Sequence, residues 1–108
     1  MPYDLKLASR VRERLCDVPQ FEERKKMGGL SFMVSGTVRL RVQDDDLVVR
    51  CEPGRTEELL GRRGVRRLTM KGKTQMKGWL LVSPDALQKK KDLDFWIGVA
   101  IEFGANRR

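Results

Sequence analysis

The sequence contains no histidine, which removes the commonest general base and the commonest metal ligand together. Cysteine is scarce. Cys16 and Cys51 lie far apart, and neither their spacing nor a reducing compartment favours a disulfide or a metal pair. Both read as small buried apolar residues. No apolar run approaches the roughly 20 residues that a membrane-spanning helix needs. Met1-Pro2-Tyr3-Asp4-Leu5 lacks the basic start and long apolar stretch of a secretory signal, so the expected compartment is the cytoplasm. Aromatic residues make up only 6% of the chain, which leaves few stacking platforms for single-stranded nucleic acid. Trp79, in an apolar strand, reads as buried. A nucleophile elbow, a paired-carboxylate motif and a cofactor fingerprint are all missing. The expectation is a non-enzyme with no cofactor and no bound metal.

What is present is charge and alternation. Lys and Arg number 23 against 15 Asp and Glu, giving a net charge of +8, and such a balance favours encounters with polyanions. At 108 residues, 40% of them hydrophobic, the chain is long enough for one globular core and too short for two. The clearest local signal runs from Lys26 to Val42, where two alternating runs flank Ser35-Gly36, the chemistry of a two-residue β-hairpin. Leu30, Phe32 and Val34 share one face of the first strand. Val38, Leu40 and Val42 share one face of the second, opposite Arg39 and Arg41. A sheet with one apolar and one basic face needs helices on its apolar side.

The flanking sequence supplies them. Leu5, Ala8, Val11 and Leu15 recur at helical spacing and predict a helix over Asp4 to Cys16, with Asp4 as cap. Phe21 to Met27 predicts a polar edge strand, its charges discouraging edge pairing. After the hairpin, Asp44-Asp45-Asp46 turns the chain into the strand Leu47 to Cys51. Pro53-Gly54 breaks the meander, and Thr56 is placed to cap a short helix through Arg62, ended by Gly61 and Gly64. Val65 to Met70 and Lys77 to Val82 predict two further strands around a Lys71-Gly72-Lys73 turn. Ser83-Pro84-Asp85 starts a helical turn. Leu93, Trp96, Ile97, Ala100 and Ile101 predict a last helix from about Asp92 to Gly104. The expected fold class is α+β: one domain over 1–108, a largely antiparallel curved sheet with helices packed on it, in the order α-β(4)-α-β(2)-α.

Two stretches carry a family resemblance. Glu23-Arg24-Lys25-Lys26-Met27-Gly28-Gly29-Leu30-Ser31-Phe32-Met33-Val34-Ser35-Gly36 resembles the early signature of the TfoX (Sxy) N-terminal domain, and Met76-Lys77-Gly78-Trp79-Leu80-Leu81-Val82 resembles its second. The helix carrying Leu93, Trp96 and Ile97 is similar to the family's last one. The resemblance spans nearly the whole chain. It implies the α+β domain already described, and a link to regulation of competence genes for DNA uptake. Met27 departs from the aromatic usual before the Gly-Gly pair, and Lys26 from the usual Met. Competence regulators also carry a C-terminal domain, which is not expected within these 108 residues.

Several groups are candidates for function. The basic tract Arg62, Arg63, Arg66, Arg67, Lys71, Lys73 and Lys77 falls in a window with no acidic residue between Glu58 and Asp85. Together these cations can meet several phosphates, and Arg suits phosphate better than a point charge does. The plainer reading is a solvated strand edge. Gly61-Arg62-Arg63-Gly64 matches the bare pattern of a KH phosphate-clamping loop, but a strand is expected to follow it, so helix termination is favoured. Gly28-Gly29 lacks the rest of a P-loop and reads as a bulge or bend. Asp44-Asp45-Asp46 lacks the spacing of a calcium loop and reads as a turn. Phe95 and Phe103, eight residues apart on the last helix, lie off its apolar stripe and are candidates for a protein interface.

The function expected is a non-catalytic regulatory domain acting through protein contacts, with electrostatic contact to nucleic acid. The alternative is a direct nucleic-acid-binding module using the tract 62–77. A small enzyme of unrecognised chemistry is the least favoured reading. The partner is expected to be a protein, with nucleic acid and a homodimer left open, and no membrane.

Overall fold

The computed structural model describes residues 3–26, 29–70 and 74–105, with the side chains of 26, 68–70, 74–77 and 103–105 excepted. The chain order is α1 (Leu5–Leu15), β1 (Phe21–Lys26), β2 (Gly29–Val34), β3 (Thr37–Gln43), β4 (Asp46–Arg50), α2 (Thr56–Leu60), β5 (Val65–Met70), β6 (Thr74–Val82) and α3 (Lys90–Ala105). Single 3₁₀ turns at Pro53–Arg55 and Pro84–Ala86 precede α2 and α3. The strands form one sheet in the order β1-β2-β3-β4-β6-β5, and every neighbouring pair is antiparallel. The expected α+β architecture and element order are therefore observed. The Lys71-Gly72-Lys73 turn and Met27 lie outside the described residues.

Local chemistry explains most of the boundaries. The Asp4 carboxylate accepts from the backbone N–H groups of Lys6 and Leu7 at 2.9 and 3.2 Å, opening α1 as a side-chain cap. Leu7, Ala8, Val11 and Leu15 form its buried stripe. Ser35 and Gly36 both have positive φ, 53° and 80°, which is the turn that matches the twist of a two-residue hairpin. α3 starts two residues earlier than expected and buries Leu93, Trp96, Ile97, Val99 and Ala100.

Against these helices the sheet presents Leu30, Phe32, Leu40, Val42, Leu47, Val49, Leu80 and Val82, all nearly inaccessible. Phe21 stacks on Phe32 with ring centroids 6.0 Å apart. Arg12 of α1 reaches Glu23 of β1 with two charge-assisted hydrogen bonds of 2.5 and 2.8 Å, tying the helix to the edge strand. That bond holds the Glu23 carboxyl below its ordinary range despite partial burial.

Three expectations are corrected. Arg39 was expected opposite the apolar face, yet it is buried beneath α3. The register shifts between Phe32 and Met33, so that Phe32 faces Leu40 while Met33 faces Val38, and the extra residue turns inward. Its guanidinium donates to the carbonyls of Ala100 and Ile101 at 3.2 Å each, near the negative end of the α3 dipole. Burial, with the charge of Arg50 nearby, lowers its pKa.

Thr56 does not cap α2. It is the first helical residue, and its buried hydroxyl accepts the Gly78 backbone N–H at 3.1 Å. At Gly28-Gly29, expected as a bulge or bend, the described residue is Gly29. Gly28 lies outside the described residues, and Gly29 pairs regularly in β2. A Cβ there would stand 2.7 Å from the Arg41 guanidinium, so the missing side chain admits that group across the strand. Lastly, Cys51 is buried as expected but Cys16 is exposed, because it follows the last turn of α1 on the solvent side.

Candidate functional site

Strand alternation sends every second residue to the sheet face that the helices do not cover. One cross-strand row on that face is set by pairing alone: Arg24 faces Ser31, Ser31 faces Arg41, Arg41 faces Val48, Val48 faces Leu81, and Leu81 faces Arg66. In the next row Arg50 faces Trp79, and the guanidinium carbon lies 4.7 Å from the indole centroid. Four arginines from four different strands thus share one surface. Trp79, expected to be buried, is half-exposed here.

The arginines are held in place. Arg41 donates to the Ser31 hydroxyl and to the Gln43 side-chain oxygen, each at 3.1 Å, while lying across Gly29. Arg24 pairs with Glu22, and Arg66 with Asp46, both at a loose 3.7 Å. The side chains of Arg24 and Arg66 remain 64% and 62% exposed, so a ligand anion can reach them. Burial pushes the Asp46 carboxyl up, with Arg66 opposing that shift. Ser31 and Val48 are buried although no described helix covers them, and the Arg41 guanidinium lies against the Ser31 hydroxyl.

The bulge in β6 positions Trp79. Register slips between Arg67 and Thr69, Gly78 adopts φ +85°, and its carbonyl accepts the Cys51 backbone N–H at 2.7 Å. A Cβ on Gly78 would sit 3.0 Å from the Cys51 carbonyl. Glycine is required there twice over, by conformation and by space.

The four described arginines of the basic tract do not gather on one surface. Arg66 belongs to the helix-free face, and its neighbour Arg67 points the other way and bonds Glu57 of α2 at 2.7 Å. Arg62 and Arg63 sit together in the loop between α2 and β5, lining a cleft of about 480 Å³ beside the start of α3. The guanidinium carbon of Arg62 lies 4.0 Å from the Phe95 ring centroid, and Phe95 meets Trp96 edge-on. Phe95, proposed from sequence as an interface residue, is therefore half-buried under an arginine at the cleft wall. Lys71 and Lys73 lie outside the described residues, as do the side chains of Lys77 and Phe103. Gly61-Arg62-Arg63-Gly64 joins a helix to a strand, unlike a KH loop. Asp44 turns the chain with φ 52°, and its carbonyl accepts the Asp4 N–H at 2.8 Å. Among the described residues no group of three or more metal-capable side chains gathers, and no helix is long and apolar enough to cross a membrane.

The family model of the TfoX N-terminal domain matches residues 13–104, most of the chain. The chain belongs to the TfoX N-terminal domain family. Neither the curated proteins nor the solved structures provide a match. The two stretches that resemble TfoX signatures have clear structural work in this fold. The first builds β1, β2 and the hairpin, and the second builds the Gly78 bulge and sets Trp79 beside Arg50. Sequence reasoning missed Arg24, Arg50 and Trp79 as neighbours of Arg41 and Arg66. The signal available was the parity of each strand, but pairing register was needed to align them.

Proposed function

We propose that this chain is a non-catalytic regulatory domain of TfoX N-terminal type, acting through contact with a protein partner and helped by electrostatic contact with nucleic acid. The observation that carries this reading is the uncovered sheet face. Three helices pack on one side of the sheet, while the other side exposes Arg24 and Arg66 and holds Arg41 and Arg50 between them. Glu22 and Asp46, acids of the described strands on that face, are each engaged by an arginine, and the four arginines beside them favour contact with a phosphate backbone. The protein contact is supported by Phe95, half-buried in a cleft where Arg62 lies over its ring.

The runner-up reading, a nucleic-acid module built on the tract 62–77, is disfavoured by its dispersal. Arg66 and Arg67 face opposite ways, and Arg62 and Arg63 line a separate cleft.

The test is retention of DNA and RNA by the purified protein across a salt series, read by fluorescence anisotropy. Binding is expected at low salt, with a log–log slope of about −2 for three phosphate contacts on a single strand. Arg24→Glu with Arg66→Glu is expected to abolish it, and Arg62→Glu with Arg63→Glu to leave it in place. Equal loss from both pairs would return the runner-up. No binding at low salt would remove nucleic acid from the reading and leave protein contact alone.

A further inference from the structure

We infer that the helix-free face takes a single-stranded nucleic acid laid across the strands, with Arg24, Arg41 and Arg66 meeting its phosphates and the Arg50–Trp79 pair stacking a base. This rests on the reading above that nucleic acid is a partner, and adds which form of it and by what contacts.

The register supplies the track. Arg24, Arg41 and Arg66 stand in one cross-strand row on the first, third and sixth strands of the sheet. At about 4.8 Å per strand, the row spans about 24 Å with gaps of about 10 and 14 Å, so a chain of phosphates running perpendicular to the strands meets a cation repeatedly. Arg50 and Trp79 occupy the fourth and fifth strands, inside the wider gap. The pair lies one row along from the line between Arg41 and Arg66, where a base borne by a backbone held at both ends would fall. Bases stack on arginine planes as well as on aromatic rings, so the pair acts as one platform.

The floor fits as well. Val48 and Leu81 lie between Arg41 and Arg66 in the same row, and half-buried Leu81 gives apolar surface beneath a strand whose charges are held at the sides, with Val48 buried next to it. Arg41 is braced by Ser31 and Gln43 before any ligand arrives, which lowers the ordering cost of binding. A duplex gains little from this arrangement. Its bases are already stacked, so the Arg50–Trp79 platform has nothing to engage, and only phosphate contacts remain.

The experiment compares a labelled oligothymidylate with a duplex of the same length, by anisotropy at low salt, on the full chain. The single strand is expected to bind about tenfold more tightly. Trp79→Ala is expected to weaken single-strand binding about tenfold or more while leaving duplex binding unchanged, and Trp79→Phe to keep most of it. Arg24→Glu, at an exposed site that does not support the core, is expected to weaken both ligands and to flatten the salt dependence. If Trp79→Ala fails to fold by circular dichroism, quenching of wild-type tryptophan emission by the single strand but not by the duplex reads the same contact. Equal affinity for both forms, or single-strand binding indifferent to Trp79, would overturn the inference while the broader nucleic-acid reading stood. Absence of any binding would overturn both.

Discussion

The covered face of the sheet holds Phe32, Leu40, Val42, Leu47, Val49, Leu80 and Val82 at essentially zero exposure, whereas the other face carries Arg24, Arg41, Arg50, Arg66 and Trp79. Both surfaces come from the same strands and the same two-residue period. Their burial has different origins. On the covered face, three helices remove the apolar groups from water. On the other, Val48 and Ser31 are buried without a described helix over them, and Ser31 is engaged by the Arg41 guanidinium. A single register therefore builds a fixed core on one side and a charged surface on the other. At the Arg39 bulge a cation crosses from the second kind of environment to the first.

The sharpest way to break this comparison is to truncate matched positions on the two faces. Phe32→Ala removes a fully buried ring stacked on Phe21 and is expected to cost about 3–5 kcal/mol in urea unfolding. Its neighbour Met33, half-buried on the other face, is expected to cost well under half of that when changed to Ala. Comparable losses at both would show that the helix-free face is a second core.

A smaller effect is expected at the bulge. Thr56→Val leaves the buried Gly78 N–H without its acceptor, a loss of about 1–3 kcal/mol. Because that bulge sets Trp79, its tryptophan emission is expected to shift even where the protein stays folded. An unchanged spectrum would separate the bulge from the platform.

The smallest expected effect lies at the rim. Glu23→Gln breaks the partly exposed pair with Arg12 and is expected to cost about 0.5–1 kcal/mol at neutral pH. The sign with pH follows from the lowered carboxyl pKa. The stabilisation is present above the ordinary glutamate value and is lost as pH falls through the lower value of the folded state. Wild type and Glu23→Gln are thus expected to converge in acid, and a difference that persists there would assign the loss to packing.

Much of the fold was legible in the chain. The hairpin needed only Ser35-Gly36 between alternating runs, and the outer helices needed only their apolar stripes and the Asp4 cap. The candidate site was far less legible. Seven cations close in sequence suggested one surface, yet adjacent strand residues point to opposite faces, which separates Arg66 from Arg67. Thr56 looked like a cap because its sequence neighbours are helical, and its actual partner is Gly78, on another element 22 residues away.

The sequence by itself determined the element order, the apolar stripe of each helix and the alternation that gives the sheet two unlike faces, because these depend on neighbours within a few residues. Tertiary structure decided which charges meet. The row Arg24–Arg41–Arg66, the inward turn of Arg39 and the stacking of Arg50 on Trp79 each depend on the register between strands distant in the chain. That register is shifted by a single extra residue at one bulge and by the Gly78 bulge at another. Such shifts arise from packing and hydrogen bonding across strands, which no local pattern encodes.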